Sequence, residues 1–189
     1  MPGTNVAGRR LTGPVQGSGK MWEKTYSLNA GQVTTTQDAI ATWKALLDLA
    51  IGGGVKLSTG VFVLYTDQES FTLMTPQGHM FAGWITFSAE RAGEATIVRA
   101  HVLMRADDPL CELGMTFGGH AKEDRFWAQT LTAPGTRLGV PDPQVETRSA
   151  CVESHRQWRN ATNIWHNAMP RSTLQTVAAP LHRRSRPAA

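Results

Sequence analysis

Cysteine is scarce. Cys111 and Cys151 are the two in 189 residues, too few for a disulfide framework, so free thiols in a reducing cytosol are expected rather than an exported scaffold. Long apolar runs are missing as well: none approaches the roughly 18 residues that span a bilayer, and no membrane crossing is expected. Arg9-Arg10 has the look of a twin-arginine export signal, but Leu11 is followed by Thr, Gly and Pro. Without an apolar stretch a signal peptide is rejected, and the sequon-like Asn160-Ala161-Thr162 then carries no meaning. The chain has no HExxH, no paired CxxC and no Gly-x-Ser-x-Gly elbow. Zinc-peptidase and serine-hydrolase chemistry therefore lack their usual signatures, and no metal or cofactor is expected. Neither sign of charge dominates: 19 Lys and Arg face 15 Asp and Glu, a net +4. Arg183, Arg184 and Arg186 cluster near the end, which reads as a solvated basic tail, and nucleic-acid binding is not expected.

What the chain does have is a central block, Val61 to Met104, in which four runs of β-branched and aromatic residues alternate with turn chemistry. The turns are Thr66-Asp67-Gln68-Glu69, Pro76-Gln77-Gly78 and Arg91-Ala92-Gly93-Glu94. Connections this short join antiparallel neighbours, so the block predicts a four-strand meander. Parity gives the last strand a clean apolar face of Val98, Ala100, Val102 and Met104, with Arg99 and His101 on the other. The fold class that follows is α+β, an antiparallel meander packed on helix.

Around this block the other elements fall in order. Residues 1–19 are rich in glycine and read as a flexible lead. Within them Gly17-Ser18-Gly19, with Lys20 following, invites a phosphate-loop reading, but Pro14 stands where that motif needs Gly and Met21 where it needs Ser or Thr. Met21–Asn29 alternates as a first strand with Trp22, Tyr26 and Leu28 inward; Lys24 shares their parity and is expected at an edge or snorkelling. A helix capped by Thr35 follows, its stripe being Ile40, Trp43, Leu47 and Ala50, and Gly52-Gly53-Gly54 ends it. Asp108 and Pro109 open a second helix, bent at Gly114, Gly118 and Gly119 and stopped at Pro134-Gly135. Residues 139–147 read as a linker. A third helix is expected from Ala150 to Met169, with Trp158 and Trp165 on one face, and a loose tail follows. By organisation, 1–19 is a lead, 20–140 the domain, and 141–189 a linker, amphipathic helix and basic disordered tail.

Few residues suggest chemistry. His79, after the Pro76 turn, and His101, beside Arg99, are the candidate proton carriers. His120, Glu123 and Asp124 share one helical turn, but two ligands at that spacing do not make a metal site. Cys111 has no histidine placed to activate it.

Strand, helix, antiparallel meander and long helix in that order resemble the helix-grip domains of the START, birch-pollen allergen and polyketide cyclase superfamily (SRPBCC). The phrases GSGKMWEKTY, SFTLMTPQGHMFAGWITFSAE, RADDPLCELGM and GGHAKEDRFWAQTL resemble a group of uncharacterised, mostly actinobacterial members, over roughly Lys20 to Val140. The resemblance implies a sheet curled around a long C-terminal helix, with room for an apolar ligand. With one helix after the first strand and five strands in all, the plan here is an abbreviated one. The implied activity is that of a small soluble protein holding a lipid, polyketide or isoprenoid-like molecule. The inward side chains Phe71, Leu73, Phe81, Trp84, Phe87, Val102, Phe126 and Trp127 are its candidate contacts. Two alternatives stand beside it: a cyclase or hydrolase using His79 or His101, and an interaction module docking through the C-terminal tryptophans or a sheet edge, most simply as a homodimer.

Overall fold

The structure, a computed structural model, describes residues 8–32, 34–52 and 61–167; for 47–52 the backbone alone is described. Six strands form one antiparallel sheet: β1 (Met21–Asn29), β2 (Phe62–Thr66), β3 (Ser70–Met74), β4 (Phe81–Ala92), β5 (Ala95–Ala106) and β6 (Val145–Glu153). Their spatial order is β2-β3-β4-β5-β1-β6. Helix α1 (Thr36–Gly52) and the later helices α2 (Pro109–Gly114) and α3 (His120–Arg137) pack on the sheet, giving an α+β fold with a long helix laid across antiparallel strands in a helix-grip-like way.

The central meander forms as its turns dictate. The Asp67 carboxylate accepts from the Glu69 and Ser70 amides at 2.8 and 2.6 Å, closing the β2–β3 turn. Gly93 takes φ 62° between β4 and β5, a conformation that side chains disfavour. The Thr35 hydroxyl accepts from the Asp38 amide at 3.1 Å and donates to its carboxylate at 2.6 Å, so α1 starts where its cap predicts. Ile40 and Trp43 are buried from that helix; Leu47, Ala50, Gly53 and Gly54 lie outside the residues whose surroundings are described. Asp108 caps α2, accepting from Leu110 and Cys111 at 2.8 and 3.0 Å, with Pro109 at the first helical position. Between α2 and α3, Met115–Gly119 widens into a π-type turn broken at Phe117 and at Gly118, where φ is 93°.

Four expectations are corrected. Among the described residues the strands number six, not five. Residues 145–153, read as linker and helix start, form β6 and pair with β1, from Leu28 opposite Val145 to Met21 opposite Glu153. The exposed Thr, Ser and Arg of this segment hide its strand character; the free edge of β1 decides it. Within the segment read as a third helix, the helical part is a 3₁₀ run, Trp158–His166. Pro134 does not end α3. Leu138 still donates to Pro134 at 2.9 Å, and Gly135 lets the helix close on Leu28, where a Cβ would come within 3.0 Å.

The lead is packed from Leu11 onward. Leu11 bridges to Pro76, the Thr12 amide donates to Thr75 at 2.9 Å, and the Gly83 amide donates to Thr12 at 2.9 Å. Gly17 and Gly19 lie against β5: a Cβ would sit 2.8 Å from Arg105 Cβ at the first and 2.9 Å from Ala106 Cβ at the second. The glycines that resembled a phosphate loop serve close packing. Asn160 holds the lead down, donating to Val15 and Gly17 at 3.0 and 2.9 Å, and Asn163 does so to Gln16 at 2.7 Å.

Candidate functional site

Register assigns each side chain to a face. Val63 lies opposite Leu73, Leu73 opposite Ile85, and Ile85 opposite the buried Val102, so these four share the inner face beneath the helices. The middle of that layer is filled by rings: Phe71 stacks on Phe87 at 4.7 Å, Trp43 meets Phe87 edge-on at 4.7 Å, and Trp127 lies 5.9 Å from Phe87. Phe71, Phe87 and Val102 are therefore core. Leu73, Phe81 and Trp127 are packed against the core but half-buried. Val63, on the same face at the sheet margin, is 65% exposed. Phe126 touches Trp127 at 4.9 Å and is 51% exposed.

Trp84 is the member that the sheet places elsewhere. It pairs with Leu103 on the outer face and lies near Gly13 of the lead. Seven of the eight candidate contacts are thus on the helix-bearing side. Three of them are buried outright, and Leu73, Phe81, Phe126 and Trp127 keep accessible apolar surface.

Beside Trp127 the layer holds a polar cluster that sequence reasoning treated as separate parts. The Lys24 ammonium, 0% exposed, bonds Glu123 at 2.9 Å and Asp124 at 2.7 Å. The Tyr26 hydroxyl donates to the same Asp124 oxygen at 2.7 Å. Lys24 is thus neither at an edge nor snorkelling. Burial foremost, with the carboxylates beside it, pushes the Tyr26 phenol up, and burial raises Glu123 despite the opposing pull of Lys24. His120 turns to Trp22, ring centres 4.3 Å apart, and burial foremost, then Lys24, lowers it to about 4. The inward parity of Lys24, set against the His-x-x-Glu-Asp turn of α3, was the available signal. Among the described residues no group of three His, Cys, Asp or Glu could hold a metal ion.

Neither candidate histidine faces this layer as a free base. The Nδ1 atom of His79 accepts from the Phe81 amide at 3.0 Å, and burial lowers the imidazole to about 4. His101 is on the outer face, 2.9 Å from Glu23. A depression of about 530 Å³ lies on that outer face, floored by Thr25 and Ser27 and walled by Arg99, Glu146 and Arg148. Both arginines already hold a carboxylate, Glu90 at 2.7 Å and Glu146 at 2.8 Å.

No helix among the described residues is long and apolar enough to cross a membrane. Comparison with known protein families and with curated proteins found no match.

Proposed function

We propose that the protein holds a hydrophobic small molecule of the lipid, polyketide or isoprenoid class against the inner face of its sheet. The observation that supports this is apolar surface left uncovered on the helix side: Val63 and Leu73, paired on adjacent strands at the sheet margin, with half-buried Phe81 and Trp127 elsewhere on the same side. Because Phe71, Phe87 and Trp43 fill the centre, the ligand lies in an open groove toward the β2–β3 margin and not in an enclosed cavity. Apolar walls with few polar groups suit such a ligand. The same proposal places the chain in the helix-grip superfamily, a reading that the order of strands and long helix supports.

The test is titration with 1-anilinonaphthalene-8-sulfonate, followed by its displacement with fatty acids, alkanols and isoprenols, reading tryptophan fluorescence alongside. Leu73→Gln should weaken dye binding about tenfold, a part of the roughly 1.5–3 kcal/mol that full burial of a leucine side chain contributes. Absence of any dye or lipid binding by the native chain would sink the proposal. For the cyclase or hydrolase alternative, the placement of His79 and His101 gives no support. Docking through the C-terminal tryptophans has a favourable observation: the Trp158 and Trp165 side chains stand 59% and 76% exposed.

A further inference from the structure

We infer that β6 is the surface through which two copies of this chain pair, antiparallel, into one continuous sheet. The inference is independent of the ligand groove. Among the described residues strand β6 has a single neighbour, β1, and stands last in the sheet order, so none of them pairs with the peptide groups of its other edge. Residues 146 to 152 are exposed along the whole strand, although α3 approaches it on the inner side. The opposite margin, β2, is shorter, has an irregular register between Val63 and Tyr65, and borders residues 53–60, outside the described set.

The occupant follows from the charges. Two identical strands running antiparallel about a twofold axis close on themselves, so pairing stops at a dimer. The register of β6 shifts beyond Cys151, where Trp22 pairs with Cys151 and Met21 with Glu153, so the regular ladder is 145–151. An axis through its middle would set Arg148 against Arg148 of the second copy, a like-charge pair. An axis at Thr147 instead sets Glu146 opposite Arg148 of the second copy, twice over, with Thr147 facing Thr147. Within one chain these two side chains already meet at 2.8 Å on the outer face. The dimer therefore carries four alternating charges in a row, which directly opposed cross-strand pairs favour. The register centred on Ser149 places Arg148 opposite Ala150 and gains no ion pair.

A ladder of this length is a small interface, so the dimer is expected to be concentration-dependent. Sedimentation of the full chain from about 1 to 500 μM should show a reversible rise in mass toward twice the monomer. Arg148→Glu should weaken association at least tenfold, and the charge-swapped double variant Glu146→Arg/Arg148→Glu should restore it. Under mild oxidation, Thr147→Cys in a Cys151→Ser background should give a disulfide-linked dimer faster than Ser149→Cys in the same background. A monomer at every concentration overturns the inference. So does Arg148→Glu associating like the native chain, or faster linkage through position 149. Circular dichroism of each variant separates lost pairing from lost folding.

Discussion

Lys24 shows what one side chain decides. Its ammonium is enclosed between β1 and α3 and neutralises a buried carboxylate, Glu123, and a partly exposed one, Asp124. Removing one partner of such a group leaves charge uncompensated in a poor solvent, which costs about 3–5 kcal/mol, whereas neutralising all partners costs far less. Lys24→Met should accordingly lower the urea midpoint strongly, and the triple variant Lys24→Met/Glu123→Gln/Asp124→Asn should recover much of the loss. Equal losses in the two would show that packing of the lysine stem, and not charge, is what matters. Asp107 makes the complementary case. It is fully buried, accepts from Asn163 at 3.0 Å, and burial foremost, then the neighbouring Asp108, raises its carboxyl to about 7. An unfolded aspartate titrates near 3.9, so between about pH 4 and 7 the folded chain binds the extra proton. Stability from this group is present at low pH and falls as pH rises through 7. Asp107→Asn should flatten that fall, read as urea midpoints at pH 5 and 8; an unchanged pH slope would contradict the assignment.

Among the elements, those written by local pattern and those written by neighbours behave differently. The β-hairpins carry their own turn residues, and α1 and α2 carry their own caps, so each stands where its sequence puts it. The lead has one such signal, Pro14 opening a short turn that the Gln16 side chain closes by accepting from the Gly13 amide at 2.7 Å, and the C-terminal 3₁₀ segment has no side-chain cap. They are ordered by each other: asparagine side chains at 160 and 163 donate to the carbonyls of Val15, Gln16 and Gly17, and the Gln157 amide donates to Ser18 at 2.8 Å. Side-chain bonds of this type contribute about 1 kcal/mol each. Asn160→Ala/Asn163→Ala should therefore raise amide exchange across residues 12–19 by tenfold or more, while the β4–β5 hairpin keeps its protection. Exchange unchanged in the lead would mean that Gly17 and Gly19 packing on Arg105 and Ala106 suffices. Strand β6 is likewise legible only beside β1, because its Thr, Arg and Ser side chains face water on both sides.

Across the whole molecule, the sheet has helices on one face and the lead over part of the other, and the candidate groove and the pairing edge belong to different parts of it. Ligand in the groove should leave association through β6 unaltered, which sedimentation with and without dye would check; a shift in the dimer fraction would couple the two. The periodicity of Val98 to Met104, the turns of the meander and the caps of α1 and α2 are local, and these fixed the α+β class, the inner face and most of its apolar residues from sequence. The tertiary structure alone decided that Lys24 finds two carboxylates a hundred residues away, that Pro134 is tolerated within α3, and that 145–153 is a strand. The physical reason is common to all three. Hydrogen bonds within a turn and the spacing of apolar residues are properties of a few consecutive positions, whereas burial of a charge, cover for a sheet face and a partner for an open edge depend on what distant segments bring alongside.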